Sequence, residues 1–261
     1  MASQTDAAHG LTRALSLLDF LSLYPHGISL ADLARNTQLP KSSLHRLMKE
    51  LIGTGYVTRS PEGLYSLSFK VCELSNRLLS GLDIVEISIP IIKRLCERIR
   101  ETVHLVVPSG VDIVYLRKED PVDSTIRIMS YTGMRRPMYV TAGGKSILSC
   151  YSEAQVKEIW DKSQIIRLTD NTITRLPALL EELERTRRRG YAVDDEENEL
   201  GIRCVGVAIR NHMDMPIGAI SVSAPANRMT QERIEELSDY VADAANSISF
   251  SMGYSLKRRE P

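Results

Sequence analysis

The sequence predicts an α+β protein in two parts: a small helix-turn-helix with a hairpin wing, then a helical linker into a larger mixed domain. Three observations carry this. Residues 29–67 read as two short helices joined by a tight turn, with two short strands directly after them. The hydrophobic period stays helical to about residue 101 and turns strand-like from Val103. Beyond that point helices and antiparallel strands mix, which is the pattern of an α+β sensor-like domain.

In chain order, residues 1–9 are short and polar and are expected to be a disordered lead-in. Residues 10–24 form a helix with Leu11, Ala14, Leu15, Leu18 and Leu21 on one stripe, which Leu17 and Phe20 broaden. Pro25-His26-Gly27 breaks it. Ser29 is an N-cap residue with Asp32 three positions on, and Leu30, Leu33, Ala34 and Thr37 line one face of the next helix. Gln38 and Leu39 make the turn, and Pro40 suits the first position of the following helix. That helix buries Leu44, Leu47, Met48 and Leu51. Its opposite face carries Ser42, Arg46 and Lys49, flanked by Lys41, Ser43 and His45. Hydroxyls, a histidine and cations on one helix face suit a DNA major groove, where Arg reads guanine bidentately and Lys and Ser hold phosphates. Tyr56 to Arg59 and Leu64 to Leu67 flank Ser60-Pro61-Glu62-Gly63 as a hairpin, with Arg59 and Tyr65 placed to touch DNA backbone. The alternative is an ordinary helical pair with a solvated outer face; the hairpin directly behind the second helix favours the DNA reading.

Residues 68–82 are expected to be a linker helix, with Val71, Leu74, Leu78 and Leu79 apolar, and residues 83–254 a second domain before a short tail. Ile84 to Arg100 resumes the helical pattern, and Pro90 inside it suggests a kink or a fresh start. Strands are expected at 103–107, 113–116, 125–129, 138–141, 203–209 and 217–223, and helices at 142–151, 152–160, 174–189 and 231–252.

The 261 residues suffice for two modest domains with cores, and 43% hydrophobic content is that of a globular chain. A net charge of zero excludes a generally basic, sequence-blind coat protein. The balance is local: residues 1–80 hold eight Lys/Arg against six Asp/Glu, and the remainder 25 against 27. Four well-separated cysteines without a CxxC read as buried free thiols in a reducing cytoplasm. With no secretory signal and no apolar run of transmembrane length, a cytoplasmic protein is expected.

Gly143-Gly144-Lys145-Ser146 lacks the upstream glycine of a phosphate loop, since Tyr139 stands there, so a tight strand-to-helix entry is the reading. Ala142, Gly143 and Gly144 nevertheless leave backbone N–H groups open at a helix start, where a carboxylate fits. Asp194-Asp195-Glu196-Glu197 with Glu199 reads as a solvated charge run, without histidine or calcium-loop spacing, so no metal is expected. Cys204 on an apolar strand reads as a core thiol, and His212 has nothing tying it to Cys204. Ser221 and Ser223 alternate with Ile220 and Val222 and point to one side, suiting a small polar ligand rather than a nucleophile–base pair. His104 and Tyr115 are either polar edges of such a site or satisfied core residues.

Several stretches, in order from about residue 10 to 250, resemble the IclR family of bacterial transcription regulators. They are Leu11-Thr12-Arg13-Ala14-Leu15, Pro40-Lys41-Ser42-Ser43, Arg46-Leu47, Gly55-Tyr56-Val57, Tyr65-Ser66-Leu67, Gly144-Lys145-Ser146-Ile147-Leu148, Gly190-Tyr191-Ala192-Val193-Asp194-Asp195-Glu196-Glu197, Gly201-Ile202-Arg203-Cys204-Val205 and Ile220-Ser221-Val222-Ser223-Ala224-Pro225. The resemblance implies a winged-helix DNA-binding domain, a linker helix and a GAF-like effector domain, assembled as a homodimer or homotetramer. It implies an effector pocket including Ala142, Gly143, Asp194, Ile202, Cys204, Ser221 and Ser223. Short stretches around Thr102, Asp112 and Arg135 look most like the branch that controls sugar-acid breakdown. The expected function is a ligand-responsive regulator of double-stranded operator DNA, repressing a catabolic operon until a small carboxylate binds, with no cofactor. The alternative is an enzyme acting on a small organic acid under a regulatory N-terminal module.

Overall fold

A computed structural model of the chain describes residues 2–79, 81, 83–122 and 128–255. It divides into two compact units, Met1–Leu82 and Asp83–Pro261. The α+β class and the helix-turn-helix followed by a mixed domain are as the sequence predicts.

The first unit begins with helix α1 (Ala2–Ser22), so the lead-in expected to be disordered is helical from Ala2. Ala2, Ala7, Ala8 and Gln4 are strong helix formers with no breaker among them, so helix propensity accounts for the extension. Leu17 and Leu21 bury completely, while Leu11 and Leu15 stay 64% and 54% exposed. The stripe that meets α3 and β2 is thus the neighbour of the one expected. Helix α2 (Leu30–Thr37) is capped by Ser29, whose hydroxyl oxygen accepts from the Asp32 amide at 3.2 Å. It ends at Gln38, which adopts a left-handed φ of 55° to turn the chain. Pro40 caps helix α3 (Lys41–Gly53) from outside, at φ −54° and ψ 135°, rather than occupying its first turn. Leu44, Leu47, Met48 and Leu51 all bury, against Leu17, Leu21, Leu33 and Val57.

Strands β1 (Val57–Arg59) and β2 (Tyr65–Leu67) pair antiparallel with Arg59 opposite Tyr65. Ile28 bonds the other edge of Tyr65 through reciprocal 2.9 Å hydrogen bonds. Strand β2 is therefore central in a small three-part ribbon. Helix α4 (Phe69–Leu79) follows; Leu74 is exposed, and the expected partners Leu78 and Leu79 lie outside the described side chains. Cys72 on this helix is exposed and does not meet the expectation of a buried thiol.

The second unit opens with helix α5 (Ile84–Ile99), which runs through Pro90 without the expected fresh start. Strands β3 (Thr102–Ser109) and β4 (Asp112–Glu119) form a hairpin tighter than expected, with Pro108 inside the strand. The strand expected at 125–129 falls mostly outside the described residues, and Ile128 and Met129 are not in a strand. The one expected at 138–141 is a 3-10 turn, Met138–Val140, and the short strand β5 (Arg135–Pro137) precedes it. Pro137, at φ −56°, is preset for that turn. Helices α6 (Ala142–Leu148), α7 (Glu153–Lys162) and α8 (Leu176–Arg189) follow, α7 opened by a Ser152–Gln155 capping box and α8 closed by Gly190 at φ 85°. Strand β6 (Ala192–Asp195), not expected from the sequence, leads into β7 (Ile202–Arg210), β8 (Pro216–Pro225) and the closing helix α9 (Gln231–Ser251).

The sheet order is β5-β4-β3-β8-β7-β6, antiparallel throughout. Both faces are covered. Val103, Leu105, Val205, Ile220 and Val222 meet Ile92, Leu95, Leu237, Val241 and Ile248 of α5 and α9. On the other face Val106, Ile113 and Ala219 meet Met138, Ile147, Leu148, Leu179 and Leu183. Strand alternation therefore assigns the remaining positions, His104, Cys204, Ser221 and Ser223, to the second face, beside α6.

Candidate functional site

Two sites emerge, one in each unit. On α3 the residues Lys41, Ser42, His45, Arg46 and Lys49 are exposed and Ser43 is half-buried. Arg59 is exposed on the wing, its guanidinium 5.5 Å from the centre of the Tyr65 ring. Among the described residues none of Lys41, Arg46, Lys49 or Arg59 forms an ion pair, whereas Arg35 on the neighbouring helix pairs with Asp32. Four cations without acid partners on one convex element and its wing make a surface ready for phosphates. Tyr65 corrects the sequence reading: it is 5% exposed and belongs to the core, because β2 is held on both edges and turns the ring inward. It supports Arg59 instead of reaching out itself.

In the second unit, Ala142, Gly143, Asp194, Ile202, Cys204, Ser221 and Ser223 line one narrow cavity of about 30 Å³. The register explains the convergence. Cys204 sits opposite both Ser223 and Asp194, and Ser221 opposite both His104 and Gly206. Thr141 caps α6, its hydroxyl oxygen accepting from the Gly144 amide at 3.0 Å. The amides of Ala142 and Gly143 make no hydrogen bond among the described residues and stand at the cavity wall. Gly206 makes this wall possible. A side-chain carbon there would sit 2.6 Å from the Ala142 carbonyl carbon and 2.8 Å from the Gly143 nitrogen. The sequence reading passed over Gly206, although a glycine inside a strand pattern signals such an approach.

The acidic run is not the solvated face expected. Asp194 and Glu197 are buried, and Glu197 pairs with the fully buried Lys145 of α6. Lys145 does not line the cavity, and its charge neutralises Glu197 inside the protein rather than meeting a phosphate. Asp194 accepts from the Glu197 and Asn198 amides at 2.8 and 3.3 Å. Burial, reinforced by the Glu197 charge, still raises its carboxyl to about 7. Burial also pushes the Cys204 thiol well up, and Ser223 donates to its sulfur at 3.0 Å. No group of three metal-ligating side chains is present among the described residues.

His104 and Tyr115 line the cavity together with Arg136 and Asn198, and Tyr115 is at the same time part of the core on that face. Their rings pack edge to face at 5.0 Å. His104 thus shares the cavity with Cys204, which His212 does not line. No nucleophile–base pair results: His104 Nε2 bonds Ser130 at 2.7 Å, burial lowers the imidazole to about 3, and the thiol stays protonated.

A winged helix-turn-helix joined to an antiparallel-sheet domain with a polar cavity defines a ligand-responsive, DNA-binding transcriptional regulator. The chain belongs to the IclR family of bacterial transcriptional regulators. Residues 10–61 match the IclR helix-turn-helix domain, and residues 76–250 match the bacterial transcriptional regulator IclR C-terminal domain. The chain is 34% identical to the DNA-binding transcriptional repressor YiaJ of Escherichia coli, over 96% of this chain and 90% of that protein. It is 32% identical to the E. coli regulator KdgR, over 96% and 95%. Among solved structures it is similar to the Thermotoga maritima IclR, at TM-score 0.64 and 36% identity over 95% of this chain and 100% of that one. The Agobacterium tumefaciens repressor BlcR aligns at TM-score 0.73 and 30% identity, over 96% and 99%. No described helix is long and apolar enough to cross a membrane.

Proposed function

We propose that the chain represses a catabolic operon in the cytoplasm and releases its operator when a small hydroxylated carboxylate enters the cavity. The carrying observation is the cavity itself, where free backbone amides and two serine hydroxyls converge beside a buried acid. The carboxylate meets the Ala142 and Gly143 amides; Ser221, Ser223 and Asp194 bind the hydroxylated end; Cys204 and Ile202 form the less polar wall. An ionised Asp194 repels the carboxylate, which fixes this orientation.

On the DNA side Arg46 reads base edges, Lys41, Lys49, Ser42, Ser43 and His45 hold backbone or flank the groove, and Arg59 grips phosphate from the wing. A homodimer or homotetramer is favoured by apolar side chains left open on the first unit: Leu11, Leu15, Leu74 and the 89% exposed Phe69. Catalysis is disfavoured by a protonated thiol and a histidine bonded elsewhere.

The test follows operator release against acid concentration for wild type, Ser221→Ala and Asp194→Ala. Both variants should need more acid while binding operator normally without it, since one lost hydrogen bond to ligand is worth about 1–3 kcal/mol. Coincident curves would place the effector elsewhere.

A further inference from the structure

Asp194 is a buried carboxylate without a cation of its own. It is 2% exposed, lines the cavity and makes no ion pair among the described residues. The fully buried ammonium of Lys145 on α6 is committed to Glu197, which is buried as well. Two buried acids therefore share one buried base. The same cavity presents the open amides of Ala142 and Gly143, the seat assigned above to the acid's carboxylate. Its free volume is about 30 Å³, space for on the order of two waters. A bound acid leaves no solvent to screen its charge from Asp194. Turning the hydroxylated end toward Asp194 lengthens the distance between the charges but does not remove the repulsion.

We propose that the cavity takes up one proton, on Asp194, as it binds a carboxylate effector, so that rising pH weakens the response. The inference rests on the cavity being the effector site.

The proton has a place to sit. The amides of Glu197 and Asn198 both bond Oδ1 of Asp194, which leaves Oδ2 to carry the hydrogen. The buried Oδ1 of Asn198, in the same cavity, is an acceptor with no donor among the described residues. A protonated Asp194 supplies a donor inside the cavity, to this oxygen or to a ligand hydroxyl.

The surrounding groups do not replace it. Lys145 of α6 and Glu197 after β6 neutralise each other. Burial keeps the Cys204 thiol of β7 protonated, and it keeps His104 of β3 and Tyr115 of β4 uncharged. Arg136 of β5 attracts the acid with a fixed charge. Glu199 lines the cavity from an exposed position, where solvent screens it. Glu182 of α8 is held by Arg185 and Arg189, and Arg203 of β7 by Asp195 and Glu196. Burial lifts the Asp194 carboxyl to about 7 before any acid binds, and an anion beside it lifts it further. Below that value Asp194 is already neutral and affinity is flat. Above it the complex must gain a proton, so apparent affinity falls about tenfold per pH unit until the higher value of the complex is passed.

The experiment is calorimetric titration of the full chain with D-glycerate and with D-gluconate, both ionised throughout, in buffers of different ionisation heat from about pH 5.5 to 8.5. Wild type should take up close to one proton per acid near pH 8 and almost none near pH 5.5, with Kd rising about tenfold per unit above pH 7. Asp194→Asn should flatten the profile and abolish the uptake. Ser221→Ala should weaken binding at every pH and keep the uptake. The proton count is made on wild type, so it decides the coupling even where a variant does not fold. Binding without uptake near pH 8, or an affinity flat in pH, overturns the proposal and leaves the effector site standing if Ser221→Ala weakens binding. Uptake that persists in Asp194→Asn places the proton on another group and overturns it too. Binding indifferent to Ser221→Ala, or none with either acid, removes the effector reading and this inference together.

Discussion

At the residue scale, Arg46 and Lys41 illustrate how two cations on one helix differ in role. Arg46 stands at the middle of the exposed face of α3 and Lys41 at its first residue. Arg46→Ala should cost about 1–3 kcal/mol of operator affinity and relax the sequence preference. Lys41→Ala should weaken all sequences alike and flatten the salt dependence. Footprints and affinities unchanged in both variants would remove α3 from recognition. Asp194 makes a different measurement possible. Its carboxyl rises from 3.8 to about 7 on folding, so between those values the folded state binds more protons than the unfolded. Its contribution is full below pH 3.8 and is lost as pH climbs to about 7. Asp194→Asn keeps an acceptor for the two amides and removes the titration. The difference in unfolding free energy between the two proteins should therefore shift in favour of the variant as pH rises through that window. A pH-independent difference would mean that Asp194 is not held in this state.

At the element scale, the approach of α6 to β7 is the tightest constraint in the second unit. Gly206→Ala would drive a methyl into the Ala142–Gly143 peptide at under 3 Å, with backbone rather than a flexible side chain in the way. The variant should lose about 1–3 kcal/mol of stability by overpacking. At permissive temperature it should respond poorly to ligand while still binding operator; an unaltered response would show that the peptide yields freely. This contact also shows where the sequence stops being legible. The helix-turn-helix core at Leu33, Leu44, Leu47, Met48 and Leu51 was readable, because helical period and burial are local signals. So was the shared side of Ser221 and Ser223, because strand alternation is local. Tyr65 was misread because its burial depends on Ile28, 37 positions away, closing the second edge of β2. Asp194 and Glu197 were misread as solvated because their neutralising partner, Lys145, comes from another element. Strand β6 was missed because four residues carry too little pattern. The open amides at Ala142 and Gly143 and the paired hydroxyls of Ser221 and Ser223 were legible locally, while Asp194, Ile202 and Cys204 entered the effector site only through the family resemblance; the pairings that bring them together, Cys204 with Ser223 and His104 with Ser221, are long-range and visible only in the register.

At the scale of the whole molecule, one recognition helix addresses only a few base pairs, too few to find a site in a genome. The chain should therefore act as a dimer or tetramer on a palindrome-like operator whose half-sites lie a whole number of helical turns apart. Sedimentation at micromolar concentration should show the oligomer, and inserting five base pairs between half-sites, half a turn of DNA, should abolish tight binding. A monomer with full operator affinity would contradict this. Replacing Leu11 and Leu15 by Glu should shift sedimentation toward smaller species if the exposed stripe of α1 is the contact.

Each of the six strands sends at least one residue into the cavity: Arg136, Tyr115, His104, Ser221, Cys204 and Asp194. The neighbouring positions on the central strands turn the other way, into the layer with α5 and α9. Ligand choice and the core beneath α5 and α9 are thereby written on opposite faces of the same strands. A library randomised only at 104, 136, 202 and 223 should stay largely folded and yield regulators with altered inducers. A library of equal size at 103, 105, 205, 220 and 222 should yield mostly unfolded protein. The fold is in this sense built to change its inducer while keeping its shape, and the folded fraction of the two libraries measures how completely the sheet separates those tasks.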